Sequence, residues 1–417
     1  SDQLADLKAG DAEALARRFL AAIPEDVAVA YFLRAGDDAL VRFLATSDGV
    51  QAEVLSFPKL MDDLGGDDLP AAVAHYRALV ASPEAIHDAE RAELGRAWYD
   101  ALLGDAAPLP GREHLLIVPD GALAFLPFET LRTPRGRYLV EEGLVSYAPS
   151  LAVAALTASP RQPKEGDRRS LLALGDAEYL EEPLNERLTT LDARVLEQAQ
   201  RRHGRTRGLV LAADPTGLET GSWADLPGTR REVVQITKLV PDAHALLGSE
   251  VTEAKVKEMS ASGDLARYRY LHFATHGLAL PEVPELSSLV LSQTDAMGDE
   301  DGFLTMAEIA ELDIDAELVV LSACDTGLGK LYAGEGVVGL TQAFFIAGAR
   351  EVAVSLWQVS DESTAALMVD AYRRLEGDAQ GFGWALARAK RAFIARGDDW
   401  ARPYYWAPFV HYAGPRR

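Results

Sequence analysis

The stretch V-V-L-S-A-C-D-T-G, residues 319 to 327, decides the fold of this chain. Its first half is a continuous apolar run, typical of a strand buried on both faces, and it leads into Cys324, the single cysteine among 417 residues. A second apolar run, 270–275, leads in the same way into His276, 48 residues before the cysteine, and Gly277. The carboxyl ends of parallel strands share one edge of a sheet, where open α/β proteins bind their ligands. We therefore expect the thiol and the imidazole to lie side by side at that edge.

Strand-like and helix-like segments alternate along the C-terminal part of the chain. This alternation predicts right-handed crossovers and a parallel sheet covered by helices on both faces, an α/β fold. An excursion at 177–222, with a basic tract at 201–205, interrupts the first crossover. The predicted strands are 171–174, 243–247, 268–274, 318–321 and 351–356, and the predicted helices are 229–239, 252–259, 305–312 and 336–347.

The N-terminal part has a different pattern. Three strand-like runs joined by A-G-D-D and S-D-G turns predict an antiparallel meander. The polar, basic segment 160–169 is predicted to be a linker, which divides the chain into 23–159 and 170–417. Residues 1–22 are predicted to form a helical leader that could be the end of an upstream repeat array. The meander strands are 27–33, 39–46 and 50–56; helices follow at 68–82 and 87–104, and buried strands at 115–118 and 144–147.

Composition limits the classes of function. A hydrophobic content of 48% and a charged content of 25% are globular values. The formal net charge of −23 argues against nucleic acid as a partner, because nucleic-acid binding depends on Lys and Arg. One cysteine forms no internal disulfide, no apolar run reaches the ~20 residues of a membrane span, and the first residues lack the features of a secretory signal. We expect a soluble cytoplasmic protein without membrane contact.

A cysteine and a histidine at one sheet edge are the groups that acyl transfer needs. Only a thiolate is strongly nucleophilic, so Cys324 requires a base, and His276 is the candidate. The backbone N–H groups of Gly277 and Cys324 are the expected donors to the oxyanion. His272 lies four residues before His276 and is expected to be a core or supporting histidine. Taken singly, Cys324 and His276 fit structural roles better than catalytic ones; together, with this order and spacing, they predict a catalytic dyad.

Cofactor motifs fail on inspection. The G-E-G-V-V-G sequence at 334–339 fits a dinucleotide fingerprint but starts about a dozen residues after its strand, and G-L-G-K at 327–330 lacks two residues that a phosphate-binding loop requires. One cysteine with scattered histidines disfavours zinc, and the acidic tract 295–301 is expected to be a solvated turn. We expect no cofactor and no metal.

The pocket for the substrate residue before the scissile bond should lie beside the nucleophile, at the carboxyl ends of the neighbouring strands. If one carboxylate points inward, Arg or Lys is favoured at that position of the substrate. In the opposing interpretation the acids cap helices, as Asp361 could, and Trp357 lines a pocket for an apolar side chain. The candidate substrate-binding residues are Asp176, Ser322, Asp325, Glu335, Trp357 and Asp361.

Several longer motifs resemble the CHAT domain family, caspase-like cysteine peptidases related to separase (clan CD) and often fused to tetratricopeptide repeats. They include L-L-I-V-P-D-G-A-L-A-F-L-P-F-E-T-L at 115–131, H-F-A-T-H-G at 272–277 and L-S-A-C-D-T-G-L-G at 321–329. The interval from His276 to Cys324 is also close to the ~50 residues found in caspases. The resemblance implies a caspase-like parallel-sheet sandwich with an inactive N-terminal half and an active C-terminal half. It implies catalytic roles for His276 and Cys324, and the long excursion departs from the family pattern.

The sequence thus predicts a regulated cysteine endopeptidase that cleaves a protein partner. The glycine-rich segment 327–336 is a natural element to be ordered on activation by an upstream sensor region or a partner protein. The alternative, from another functional class, is a protein-interaction scaffold of CHAT type in which catalysis is dispensable.

Overall fold

The computed structural model describes residues 23–35, 39–56, 61, 64, 66–104, 111–158, 168–179, 223–278, 287–294, 300–322, 335–357, 361–376 and 380–415. The chain divides into two compact units. The first draws on Ser1–Tyr76, Ile86–Arg161 and Tyr412–Arg417, and the second on Arg77–Ala85 and Gln162–His411. The predicted leader at 1–22 and most of the predicted linker lie outside the described residues. The assignment of an inactive and an active half stays a prediction.

The first unit contains the predicted meander. Strands β1 to β3 pair antiparallel in sequence order, and β1 continues through parallel pairing to β4 and then β5. The antiparallel pairing confirms the A-G-D-D and S-D-G signals as marks of connections between antiparallel strands. The strands are β1 (Val27–Ala35), β2 (Ala39–Thr46), β3 (Gly49–Ser56), β4 (His114–Val118) and β5 (Leu144–Tyr147). The helices in this part of the sequence are α1 (Leu69–Val80), α2 (Asp88–Leu102), α3 (Leu139–Glu142) and α4 (Leu151–Ala158).

The second unit has the predicted α/β architecture. Its central strands follow the order β13-β12-β8-β6-β7, and every neighbouring pair is parallel. These strands are β6 (Arg169–Gly175), β7 (Ala243–Leu247), β8 (Tyr268–Ala274), β12 (Leu318–Leu321) and β13 (Val352–Ser355), with β14 (Phe409–Tyr412) next to β13. The helices are α5 (Pro227–Leu239), α6 (Glu253–Ala261), α7 (Met306–Glu311), α8 (Glu335–Ala347), α9 (Asp361–Leu375), α10 (Phe382–Ile394) and α11 (Pro403–Trp406).

The sequences of β12 and β13 are continuously apolar because both faces of each strand are buried. All four residues of β12, Leu318–Leu321, and all four of β13 are buried. β6 begins at Arg169, two residues before the predicted start, because its first residues are polar and hide the strand pattern. Gly175 ends this strand where α5 approaches closely: a Cβ there would lie 2.8 Å from Val233.

A second, small sheet was not predicted. Its three strands are β9 (His276–Leu278), β10 (Ser288–Val290) and β11 (Phe303–Thr305), paired antiparallel in the order β11-β10-β9. Three residues are too few to show a period of two, so the sequence pattern does not reveal them. Its strand β9 starts at His276, the candidate base.

Among the residues that the structure describes, the search for helices with the length and apolar character of a membrane span finds none.

Candidate active site

The ends of β8 and β12 lie next to each other, as the sequence predicts. The two strands pair in parallel with Leu321 opposite Phe273, and the N–H of Ser322 donates a 2.8 Å hydrogen bond to the Phe273 carbonyl. His276 follows the end of β8 by two residues. Cys324 follows Ser322 by two residues in the sequence and lies outside the described residues, as do Asp325 and most of the glycine-rich segment.

His276 is buried at the start of the small sheet, with 1% of its surface exposed. Its Nε2 atom lies 2.7 Å from the carbonyl oxygen of Ala224. A carbonyl oxygen only accepts, so Nε2 carries the proton and donates it. In the neutral imidazole the lone pair is then on Nδ1, which makes Nδ1 the atom able to act as a base.

Two aromatic side chains contact the His276 ring. The rings of Tyr179 and Trp223 each have their centroid 5.0 Å from that of the imidazole, with interplanar angles of 54° and 39°. The same two residues pack against the small apolar cluster of Leu278, Val290 and Phe303. The wall of the histidine site is therefore continuous with the core of the small sheet.

The backbone N–H of Gly277 points away from β10, toward the edge of the small sheet that pairs with no other described strand. The N–H of Leu291 donates to Gly302 (2.8 Å), so odd-numbered residues around β10 direct their backbone groups to the β11 side. Backbone groups alternate sides along a strand, so Val290 faces β9 opposite His276. Gly277, one residue further, directs its N–H away from β10.

The predicted substrate-binding residues have different surroundings. Asp176 has a left-handed backbone (φ 59°), which an aspartate tolerates, and its Oδ2 accepts from Arg230 Nε at 2.7 Å. Ser322 and Trp357 are buried at 3% and 6% exposure, and Ser322 Oγ and Trp357 Nε1 have no hydrogen-bond partner among the described residues. The helices α8 and α9 begin at Glu335 and Asp361, whose side chains lie outside the description.

His272 is confirmed as a core histidine. It is fully buried; its Nε2 lies 3.0 Å from Glu232 Oε1 on α5, and its Nδ1 lies 3.2 Å from the Tyr372 hydroxyl on α9. Glu232 is 2% exposed. Both ring nitrogens are thus occupied by side chains from two helices, an arrangement that holds β8 to its covering layer.

A carboxylate cluster lies where the sequence predicted a solvated turn, so that expectation is wrong for the described residues Glu300 and Asp301. Glu253, Glu300 and Glu308 place carboxylate oxygens within 4.8 Å of one another, a spacing that could hold a metal ion. Here the Lys257 ammonium contacts all three, at 2.7, 2.7 and 2.8 Å. Burial raises the pKa of Glu253 to about 8, although Lys257 acts in the opposite direction. Sequence spacing did not show this because Lys257 and Glu253 belong to a helix distant in sequence.

Sequence reasoning missed Ala224, Tyr179 and Trp223. The contribution of Ala224 is a backbone carbonyl, which any residue supplies, so no residue type could reveal it. Tyr179 and Trp223 flank residues 180–222, and only their position at the ends of the excursion could have drawn attention to them.

Comparisons with known proteins find a long sequence relative, two solved structures and one family. The chain is 24% identical over 354 residues to human tetratricopeptide repeat protein 28, a match that covers 76% of this chain and 13% of that protein. The chain therefore spans only a small part of this relative's length.

Two solved structures give weaker likenesses. One is the separase–securin complex of Saccharomyces cerevisiae, at 10% identity over 98% of this chain and 31% of that one, with a TM-score of 0.48. The other is the Arg specific cysteine proteinase gingipain R, at 10% identity over 80% and 68% of the two chains, with a TM-score of 0.41. Neither likeness supports an argument about activity. The CHAT domain, by contrast, matches residues 92–414, most of the sequence, and the chain belongs to the CHAT domain family.

Proposed function

We propose that this protein is a cysteine endopeptidase that cleaves a protein partner through a dyad of Cys324 and His276. His276 Nδ1 takes the thiol proton as Sγ forms a bond to the scissile carbonyl carbon. The imidazolium then gives this proton to the departing amine as the C–N bond breaks, which leaves a thioester. Water, deprotonated by His276, attacks the thioester, releases the new carboxyl terminus and restores the thiol.

The observation that carries the proposal is the direct parallel pairing of β8 and β12. Leu321 lies opposite Phe273, so Ser322 aligns with Ala274, and the two candidate residues each follow two positions later in the sequence. Equal steps from adjacent strand ends favour a short distance between thiol and imidazole.

The state of the histidine supports the same chemistry. Nε2 donates to Ala224, which keeps the lone pair on Nδ1 and holds the ring in one orientation. The carbonyl also stabilises the imidazolium, since it accepts a stronger bond from a charged donor.

Gly277 supports an oxyanion hole. Its N–H faces the open edge of the small sheet rather than β10, and it has no side chain to obstruct a substrate. Together with the N–H of Cys324 it forms the pair of backbone donors that we propose for the tetrahedral intermediate.

The test compares wild type with Cys324→Ala and His276→Gln in the native host. We expect a set of new protein N-termini in the wild type that both variants lack, together with loss of the cellular function. If cleavage of the partner and the cellular function survive Cys324→Ala, the protein acts as an interaction scaffold and the peptidase proposal is wrong.

We further propose that activity is regulated by another protein or by a sensor region outside this sequence, and that it operates in the cytoplasm. A constitutive cytoplasmic endopeptidase would damage its own cell, and the match to a small part of a much longer repeat protein fits a domain that works with other segments. The purified chain should cleave weakly until that partner is added. Full turnover without any addition contradicts regulation but leaves the dyad intact.

For the substrate residue before the scissile bond we keep the proposal of Arg or Lys. Asp176 does not carry it, because Arg230 already neutralises its carboxylate. The preference then depends on Asp325, Glu335 and Asp361, whose side chains lie outside the description. Peptide libraries with wild type and Asp361→Ala test it: the variant should lose the basic preference, and a wild-type preference for Leu or Met contradicts it.

A further inference from the structure

Besides the Ala224 carbonyl, two aromatic side chains lie against His276. Tyr179 comes four residues after the end of β6, and Trp223 comes four residues before the start of α5. Both bring an aromatic ring to within 5.0 Å of the imidazole. These two contacts come from different segments, and both residues also pack against the apolar cluster of the small sheet.

Tyr179 contacts His276 more closely through its aromatic ring than through its hydrogen bond to the backbone. The N–H of His276 donates to the Tyr179 hydroxyl, but at 3.4 Å this bond is long and weak. The ring contacts are normal for aromatic pairs, which prefer centroid distances of 4.5 to 7 Å. Any role of Tyr179 in orienting the histidine therefore resides mainly in its ring.

Aromatic rings discriminate between the two charge states of a histidine. Their negative π faces attract a nearby cation, and the attraction grows when the cation is removed from water. His276 is buried, so little water screens this attraction, which opposes the cost of placing a cation in a buried site. Tyr179 is uncharged at neutral pH because burial raises its pKa further above its ordinary value.

We propose that Tyr179 and Trp223 are positioning residues that hold the His276 ring on the Ala224 carbonyl and favour its imidazolium form, and so promote the thiolate of Cys324. The inference rests on the proposed dyad. It adds two residues, both at the ends of the 180–222 segment, that set the reactivity of the nucleophile without touching the substrate.

The single cysteine makes a direct test possible without a known substrate. The rate of Cys324 alkylation by iodoacetamide is measured against pH by intact-protein mass, and the midpoint reports the ionisation of the thiol. Wild type should have its midpoint well below the ~8.5 of a free cysteine, and His276→Gln should move it back toward that value.

Tyr179→Leu and Trp223→Leu should each raise the midpoint by about half a unit, which slows alkylation about threefold at pH values below the midpoint. Tyr179→Phe and Trp223→Phe keep a ring and should stay close to wild type. Trp400→Leu is the control: it removes aromatic contacts elsewhere in the fold, with Phe393 at 5.4 Å and Tyr405 at 6.2 Å, and should not move the midpoint.

The outcomes separate two failures. If His276→Gln shifts the midpoint and both leucine variants leave it unchanged, the positioning role is wrong and the dyad stands. If His276→Gln also leaves it unchanged, the dyad itself is wrong, and the inference fails with it. If Tyr179→Phe shifts the midpoint as far as Tyr179→Leu, the hydroxyl and not the ring acts on His276, which also overturns the inference.

Folding is checked by far-UV circular dichroism at the temperature of the assay. A leucine variant that has unfolded is replaced by methionine at the same position, whose longer and more flexible side chain adapts better to the space left by a ring, and the same midpoint criterion applies.

Discussion

Two buried histidines, four residues apart in the sequence, have opposite kinds of surroundings. His272, inside β8, has both ring nitrogens bonded to side chains, Glu232 and Tyr372, on covering helices. His276, at the start of β9, donates from Nε2 to the backbone carbonyl of Ala224, an exposed residue. Their exposures of 0% and 1% do not distinguish them.

The difference lies in what each partner permits. Glu232 and Tyr372 fix both nitrogens of His272, so a change in its protonation disturbs two helices at once. A carbonyl at Nε2 of His276 fixes the orientation and tautomer of the ring and puts its lone pair on Nδ1, the atom that acts as the base in the proposed mechanism. Burial therefore says little about whether a histidine is structural or catalytic, whereas the type of partner at each nitrogen says much.

The largest expected effect on stability comes from replacing His272. His272→Leu leaves the Glu232 carboxylate buried without its partner, and we expect a loss of about 3–5 kcal/mol in the free energy of unfolding, measured by urea denaturation. His276→Leu should lose less than about 2 kcal/mol, because it removes one hydrogen bond to an uncharged acceptor on an exposed residue.

A double variant sharpens the result. Glu232→Leu combined with His272→Leu removes both polar partners, and its loss should be well below the sum of the two single losses. Additive losses would show that the two side chains stabilise the fold independently, contrary to the pairing seen here.

A second comparison concerns the carboxylates that support the two sites. Glu232 pairs with one histidine, whereas Glu253 shares Lys257 with Glu300 and Glu308, close to Asp301. Glu253 Oε2 also accepts the Gly302 N–H just before β11, so it supports the sheet that carries His276.

The pKa of Glu253 predicts how stability depends on pH. Its pKa rises from an ordinary 4.5 to about 8 on folding, mainly through burial, so between these values the folded chain holds a proton that the unfolded chain has lost. Stability contributed by this proton is full below about pH 4.5 and is lost as pH rises through about 8. The loss should be on the order of 2 kcal/mol, because the cluster is partly open to solvent.

Glu253→Gln tests this dependence. The amide resembles the protonated acid, so the variant should match wild type near pH 5 and exceed it in stability at pH 9, measured by urea denaturation at a series of pH values. A wild type that gains stability relative to the variant as pH rises would show that Lys257, not burial, dominates at Glu253.

The third effect is chemical. His276→Gln should slow alkylation of Cys324 at pH 6 by about tenfold or more, equivalent to about 1.4 kcal/mol or more, because the thiolate loses its imidazolium partner. His272→Gln should leave the rate within about twofold in folded protein, since His272 bonds to Glu232 and Tyr372 and faces the covering helices. Equal slowing by both variants would mean that the two histidines do not differ in the way their partners indicate.

The sequence was sufficient to predict the features that depend on the types of several neighbouring side chains. The apolar runs of β8 and β12 and the turns of the meander predicted the α/β class and the adjacent strand ends. It was insufficient to predict the surroundings of a side chain where the partner is a backbone group or a residue distant in the sequence. The carbonyl of Ala224, the Arg230 partner of Asp176 and the Lys257 partner of Glu300 have no local signature. The three-residue strands of the small sheet are too short to show a period.

The smallest effect compares two serines on neighbouring strands. Ser355, at the end of β13, is 2% exposed, and its hydroxyl donates to the Trp357 carbonyl at 2.7 Å. Ser322, just after β12, is 3% exposed, and its hydroxyl bonds to no described residue. A buried hydroxyl without a partner destabilises a fold, so Ser322, unlike Ser355, carries a polar group that the described residues leave unsatisfied.

Alanine at each serine should therefore change stability in opposite directions. Ser322→Ala removes an unsatisfied hydroxyl and should raise the free energy of unfolding by about 1 kcal/mol, while its backbone bond to Phe273 remains. Ser355→Ala removes a satisfied one and should lower it by about 1 kcal/mol. Urea denaturation of both variants measures the difference.

If Ser322→Ala is destabilised as much as Ser355→Ala, the Ser322 hydroxyl has a partner in the folded chain and is not held open for a substrate. A gain in stability at Ser322 together with weaker substrate binding is the outcome expected of a polar group kept for function at the expense of the fold.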